Sequence, residues 1–142
     1  MKHSLLQDAS RAGLYHLPAA RRGEVLAQAG QAHLAQLSAN LSTAGDAGEV
    51  LRELGRTFEF PIWYGANFDA LHDCLTDPDW QARKSLLLLV SGLEALRHND
   101  PEAFSTLIDV LRSAAQIRSA EKHPMWILLT SPARGVANLP DA

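Results

Sequence analysis

Apolar residues along the chain fall into two kinds of pattern. The first is a stripe at helical spacing. Val50, Leu51, Leu54 and Phe58 follow Asp46 and Glu49, whose three-residue separation is that of a capping box, so a helix is predicted here. Phe104, Leu107, Ile108, Leu111 and Ala115 form a second stripe, in a helix opened by Asp100 and Pro101. Phe68, Leu71 and Leu75 form a third, with Asn67 as its N-cap and an end near Thr76. The second kind is a short apolar run without period-two alternation, as in SLLLLV (85–90) and MWILLT (125–130), which read as buried strands. GLYHL (13–17) reads as a first strand. After Pro18, residues 19–29 read as a helix stopped by Gly30. AHLAQLSANLS (32–42) is ambiguous: Leu34, Leu37 and Leu41 have helical spacing, while Gly30 and the Ser/Asn/Thr/Gly cluster would bound a strand. FPIWYGAN (60–67) is a loop punctuated by Pro61 and Gly65. The ends, before about Leu14 and after about Thr130, read as loose tails. Helices that alternate with such runs predict an α/β fold with a largely parallel sheet covered by helices.

Composition changes this picture little. A length of 142 residues suggests one domain, and 46% hydrophobic with 20% charged residues is unlike a disordered chain. The longest aliphatic run, residues 86–90, is too short to cross a bilayer, and MKHSLLQDAS is a poor signal peptide. Cys74 has no second cysteine to pair with, which fits a reducing cytoplasm. A net charge of −3 argues against nucleic acid as a direct partner. The distribution of charge matters more. Between Arg56 and Arg83 there is no lysine or arginine, yet Glu59, Asp69, Asp73, Asp77 and Asp79 all fall there.

In the helix predicted from Phe68, Asp69, Asp73 and Asp77 are four residues apart and stack along one line, away from the apolar face. The helix dipole favours Asp69 but opposes Asp73 and Asp77, and like charges at this spacing repel by a few tenths of a kcal/mol per pair. Folding does not favour the arrangement. It fits a solvated face, an anionic surface for a cationic partner, or a metal or catalytic site. Asp69, His72 and Asp73, at i, i+3 and i+4, can converge on a cation such as zinc, though no second His/Asp cluster supports them. His72, Asp73 and Cys74 are consecutive, so on a helix they diverge by about 100° and cannot form a nucleophile–base chain. No phosphate loop, dinucleotide fingerprint or nucleophile elbow is present. Trp63 and Tyr64, in a loop beside fixed negative charge, have the composition of an interaction hot spot.

Residues 61–76, PIWYGANFDALHDCLT, resemble the signature of the barstar family, small intracellular bacterial inhibitors of secreted ribonucleases such as barnase. The signature runs aromatic–aromatic–Gly–x–Asn–apolar–Asp–Ala–Leu–x–Asp–x–Leu, and every fixed type is present. The resemblance extends over about residues 32–130, within a single domain spanning 1–142. It leaves residues 13–31 as an extra N-terminal β–α unit. It implies a small, mainly parallel sheet flanked by helices, with AHLAQLSANLS as a strand. It also implies a cytoplasmic antitoxin or immunity protein, monomeric when free, whose partner is a basic protein such as a ribonuclease or toxin nuclease domain. No catalytic residue, metal, cofactor, membrane or nucleic acid is implied. By the same resemblance Asp73 matches the aspartate that fills the nuclease's phosphate site, and Asp69 a second contact aspartate. Trp63 matches a packing aromatic that is tyrosine in the best-known member. Gly65 and Asn67 match loop and cap positions at the interface, and Thr76 a contact at the helix end. Tyr64, His72 and Asp77 complete the expected partner-binding set. His72 stands where the family has tryptophan, Asp77 where it has glycine, and Ser113 where it has a contacting glutamate. Asp109, one turn before Ser113, is a candidate replacement. Two other readings are a barstar-like module with a non-nuclease basic partner and a metal-dependent hydrolase built on Asp69, His72 and Asp73.

Overall fold

The computed structural model describes residues 5–141, with backbone only for residues 82 and 83. Residues 1–4, the start of the MKHSLLQDAS segment, lie outside the described residues. Four strands form one parallel sheet: β1 (Leu14–His16), β2 (Ala35–Asn40), β3 (Leu86–Ser91) and β4 (Met125–Leu129), in spatial order β1-β4-β3-β2. The connections are helical: α1 (Arg22–Gln31) between β1 and β2, α2 (Ala47–Thr57) and α3 (Phe68–Thr76) between β2 and β3, and α4 (Glu94–Asn99) and α5 (Pro101–Ala120) between β3 and β4. Helical crossovers are what parallel pairing requires, because the chain must return to the same end of the sheet. The α/β expectation holds.

The central strands explain their own continuous apolar runs. Leu86, Leu88 and Val90, with Met125, Ile127 and Leu129, face a core shared with α2, α3 and α5. Leu87, Leu89, Trp126 and Leu128 face a second core shared with Val25 and Ala29 of α1. Both sheet faces are therefore buried, and alternation along β3 and β4 separates two cores rather than core from water. At the edge, β2 does alternate: Gln36, Ser38 and Asn40 are exposed while Ala39 is buried. The helical spacing of Leu34, Leu37 and Leu41 is thus overridden by pairing with β3.

Three expectations need correction. Gly30 does not stop α1, which runs to Gln31; the left-handed position falls on His33, at φ 59°. The start of the expected helix, Ala19–Arg21, is a 3-10 turn. The ends are not loose. Leu5, Leu6 and Leu139 are buried in the second core, and residues 137–139 run alongside β1, with His16 N–H donating to Ala137 O and Leu139 N–H to His16 O, each at 2.8 Å. Arg21 also donates to the carbonyls of Leu139 and Pro140. This docking covers a sheet edge that would otherwise present unpaired backbone groups. The six-residue α4 was not foreseen. It is turned out of β3 by Gly92, at φ +80°, where a Cβ would fall 2.7 Å from Ser42 Cα.

Candidate functional site

The loop between α2 and α3 is shaped from beneath. Phe58 closes α2 and is buried; Glu59, at φ 55°, reverses the chain. Trp80 is buried under the loop, its indole N–H donating to Phe58 O at 2.8 Å. Phe60 packs edge-on against both Trp80 and Tyr64, at centroid separations of 5.2 and 5.0 Å. Tyr64 N–H donates to Pro61 O at 2.9 Å, closing a tight turn. The tyrosine hydroxyl turns inward and donates to Leu51 O at 2.7 Å. Burial raises its pKa above the ordinary tyrosine value, so it remains a donor. Tyr64 is thus an anchor of the loop. The turn it closes pushes Ile62 and Trp63 outward, fully exposed and 54% exposed respectively. The loop thus holds two large apolar side chains in water.

Asn67 begins α3 as expected, its Oδ1 accepting from Ala70 N–H at 2.7 Å. Leu71, Cys74 and Leu75 are buried against the core, which fixes the rotation of the helix and leaves Asp69 and Asp73 exposed, one turn apart. Neither carboxylate has an ion-pair partner among the described residues. Asp77 does not continue their line. It is the C-cap, half-buried, and its carboxylate bends back to accept from Asp79 N–H at 2.8 Å. The expected row of three carboxylates is therefore a pair on the helix, plus a cap beside a cleft of about 550 Å³ whose lining includes Glu59, Trp63, Asp77, Asp79 and Lys84. Gly65 is exposed next to Asn67, and the Thr76 hydroxyl donates to His72 O at 2.8 Å, inside the helix.

His72 is half-buried, and its Nε2 lies 3.0 Å from Ser113 Oγ on α5. Asp69, His72 and Asp73 do not gather into a metal site: among the described residues no group of three such side chains could hold an ion. Cys74 is fully buried. Burial pushes its thiol pKa up to about 11, helped by the negative fields of Asp77 and Asp73, which leaves it a poor nucleophile. Asp109 lies 3.8 Å from Arg112 and so carries an opposed charge rather than a free one.

Arg118 supports the site but was missed in the sequence. It is 2% exposed and donates to Leu75 O in the last turn of α3 at 3.3 Å, to Lys84 O at 2.8 Å and to His123 O at 3.0 Å. Its guanidinium also lies 5.9 Å from the Trp80 ring centroid. Burial lowers its pKa, but an arginine starts so high that it stays charged. A cation at the carbonyl end of α3 offsets the dipole there. The signal was available: Arg118 lies four residues after Ala114 and three after Ala115, on the inward stripe of α5.

A family model described as Barstar (barnase inhibitor) matches residues 34–130. The chain belongs to the barstar family. The matched barstar region contains the aromatic loop, α3 and both α5 residues that brace it, Ser113 and Arg118, while β1 and α1 lie outside it. His72 on α3 and Ser113 on α5, both within the matched region, touch each other and so form one local unit. No curated protein matches the chain at a significant level.

Proposed function

We propose that this protein is a cytoplasmic inhibitor, without chemistry of its own, of a basic ribonuclease, and that α3 with its preceding loop is the inhibitory face. The carrying observation is the couple Asp69 and Asp73, exposed on α3 without an ion-pair partner among the described residues, with Trp63 exposed in the preceding loop, on a chain of the barnase-inhibitor family. A nuclease site built to hold RNA phosphate presents lysine, arginine and histidine. Carboxylates can occupy that phosphate position and accept paired N–H bonds from arginine. Opposite charge also speeds encounter, a principle of which barnase and barstar are themselves the standard example. In this reading Asp73 fills the phosphate position and Asp69 takes an adjacent cation. Trp63 packs on the enzyme, and Tyr64, Gly65, Asn67 and Thr76 hold the loop and helix in register. His72 and Asp77 border the contact, where they tune which nuclease fits.

RNA cleavage by a panel of basic microbial ribonucleases, including any encoded beside this gene, tests the idea. The expected result is stoichiometric inhibition of at least one enzyme. Asp73→Ala should weaken that complex by about 3 kcal/mol, about a hundredfold in Kd, because a nuclease cation is left buried and unpaired. If the protein instead captures a basic partner that is not a nuclease and inhibits none of the panel, the nuclease assignment fails.

A further inference from the structure

A second cleft, of about 420 Å³, is lined by α4, by α5 from Pro101 to Arg112 and by Arg134 of the C-terminal stretch. Its size is within the range of small-molecule sites, roughly 300–1,000 Å³. Three arginines reach it from three different segments: Arg97 from α4, Arg112 from α5 and Arg134 from the C-terminal stretch. Arg97 Nη1 donates to Pro132 O at 2.9 Å, and Arg112 Nη2 donates to Gly135 O at 2.8 Å. Each guanidinium has five N–H donors, so one backbone bond orients it and leaves most donors unused. Arg134 is exposed and has neither a hydrogen bond nor an ion pair among the described residues. Opposing these three cations, Asp109 is the lining carboxylate. Its side chain is largely exposed, and it stands 3.8 Å from Arg112, a weak pair in water. Phe104, half-buried, and Ile108 supply an apolar wall.

Closing the C-terminal turn explains two of the backbone bonds. It does not explain why a third, unpartnered arginine joins them on a chain whose net charge is −3. We propose that this cleft binds a phosphomonoester carried on an apolar or aromatic body, such as a nucleoside monophosphate. Asp109 faces Arg112 and Glu94 lies in the field of Arg97, so three guanidiniums against two carboxylates keep the cleft net positive, the sign that a phosphomonoester of charge about −1.5 to −2 at neutral pH requires. Forked N–H donors fit phosphate oxygens, and two of the three forks are already oriented, so binding orders little new structure. The Phe104 and Ile108 wall takes the body of the ligand.

Arginine side-chain and backbone ¹H–¹⁵N spectra of the full chain, titrated with AMP, inorganic phosphate and adenosine, test the assignment. AMP should move the signals of Arg97, Arg112, Arg134 and Phe104; phosphate should do so more weakly, and adenosine not at all. Arg134→Ala should weaken AMP binding about tenfold. This variant removes no internal bond and keeps the fold. Asp73→Ala, on α3 and outside the lining of this cleft, should bind AMP as the parent does. Unmoved signals with both AMP and phosphate, or unchanged affinity in Arg134→Ala, would overturn the site. Phosphate binding as tightly as AMP would overturn the role of the apolar wall and leave the free anion as ligand.

Discussion

Gly55 has no side chain because the ring of Tyr64 occupies the space where one would stand: a Cβ there would fall 2.6 Å from Tyr64 Cδ2. The packing of one residue thus sets the height of the exposed loop. Gly55→Ala should lose about 1–3 kcal/mol in a denaturant melt, since the ring must move or the helix must shift. It should also weaken partner binding, because Trp63 moves with Tyr64. Cys74 allows a pH test. A thiol whose pKa rises on folding contributes stability that is fully present below its unfolded value near 9 and is lost as pH climbs toward about 11. Unfolding free energy should therefore fall across that window in the parent. Cys74→Ala, which cannot titrate there, should show a shallower fall when urea midpoints are compared from pH 8 upward (~1 unit below the unfolded thiol value).

Helix α3 is short, and its nine residues would not hold together in isolation. Its ends are secured by different means. Asn67 supplies the N-cap, and Asn67→Ala should cost about 1 kcal/mol. At the other end Arg118 reaches from α5 to Leu75 O. Arg118→Ala should cost about 3 kcal/mol or more, read from thermal or urea unfolding, because three carbonyls lose their donor in a buried place. Arg118→Lys should recover only part of this, since a single ammonium cannot span three acceptors in a fork. The same element-level reasoning explains why Asp77 leaves the carboxylate line: α3 ends at Thr76, and the C-cap conformation at φ −67°, ψ 120° turns the next side chain aside.

At the scale of the molecule, the sheet has two faces and the family region covers one of them. The helices within residues 34–130 bury the first core. The second core needs Val25 and Ala29 of α1, Leu17, the N-terminal Leu5 and Leu6, and Leu139 from the C-terminal end. A fragment of residues 34–130 should therefore expose Leu87, Leu89, Trp126 and Leu128, bind a hydrophobic dye and aggregate, while the full chain does neither. Charge also acts at this scale. Asp69 and Asp73 of α3, without ion-pair partners among the described residues, lie one turn apart on the surface, so association with a basic partner should slow as salt rises past about 0.1 M, where screening shortens to about 10 Å, while dissociation changes less.

Much of this was legible in the chain. The stripes at Val50–Leu54–Phe58 and Phe104–Leu111, the caps at Asp46, Asn67 and Asp100, and the apolar runs of β3 and β4 are local signals, and local signals survive into the structure because packing agreed with them. The sequence also separated the apolar face of α3 from Asp69 and Asp73, since 3.6 residues per turn is a property of the backbone. What only the tertiary structure decided depends on partners distant along the chain. Pairing with β3 made β2 a strand despite its leucine spacing. The inward hydrogen bond of Tyr64 assigned exposure to Trp63 alone of the adjacent pair. His72 met Ser113 across 41 positions, and the ends docked where an edge and an apolar face needed cover. Spacing along a chain encodes which way a side chain leaves its own helix or strand; which group it meets there depends on how the elements pack.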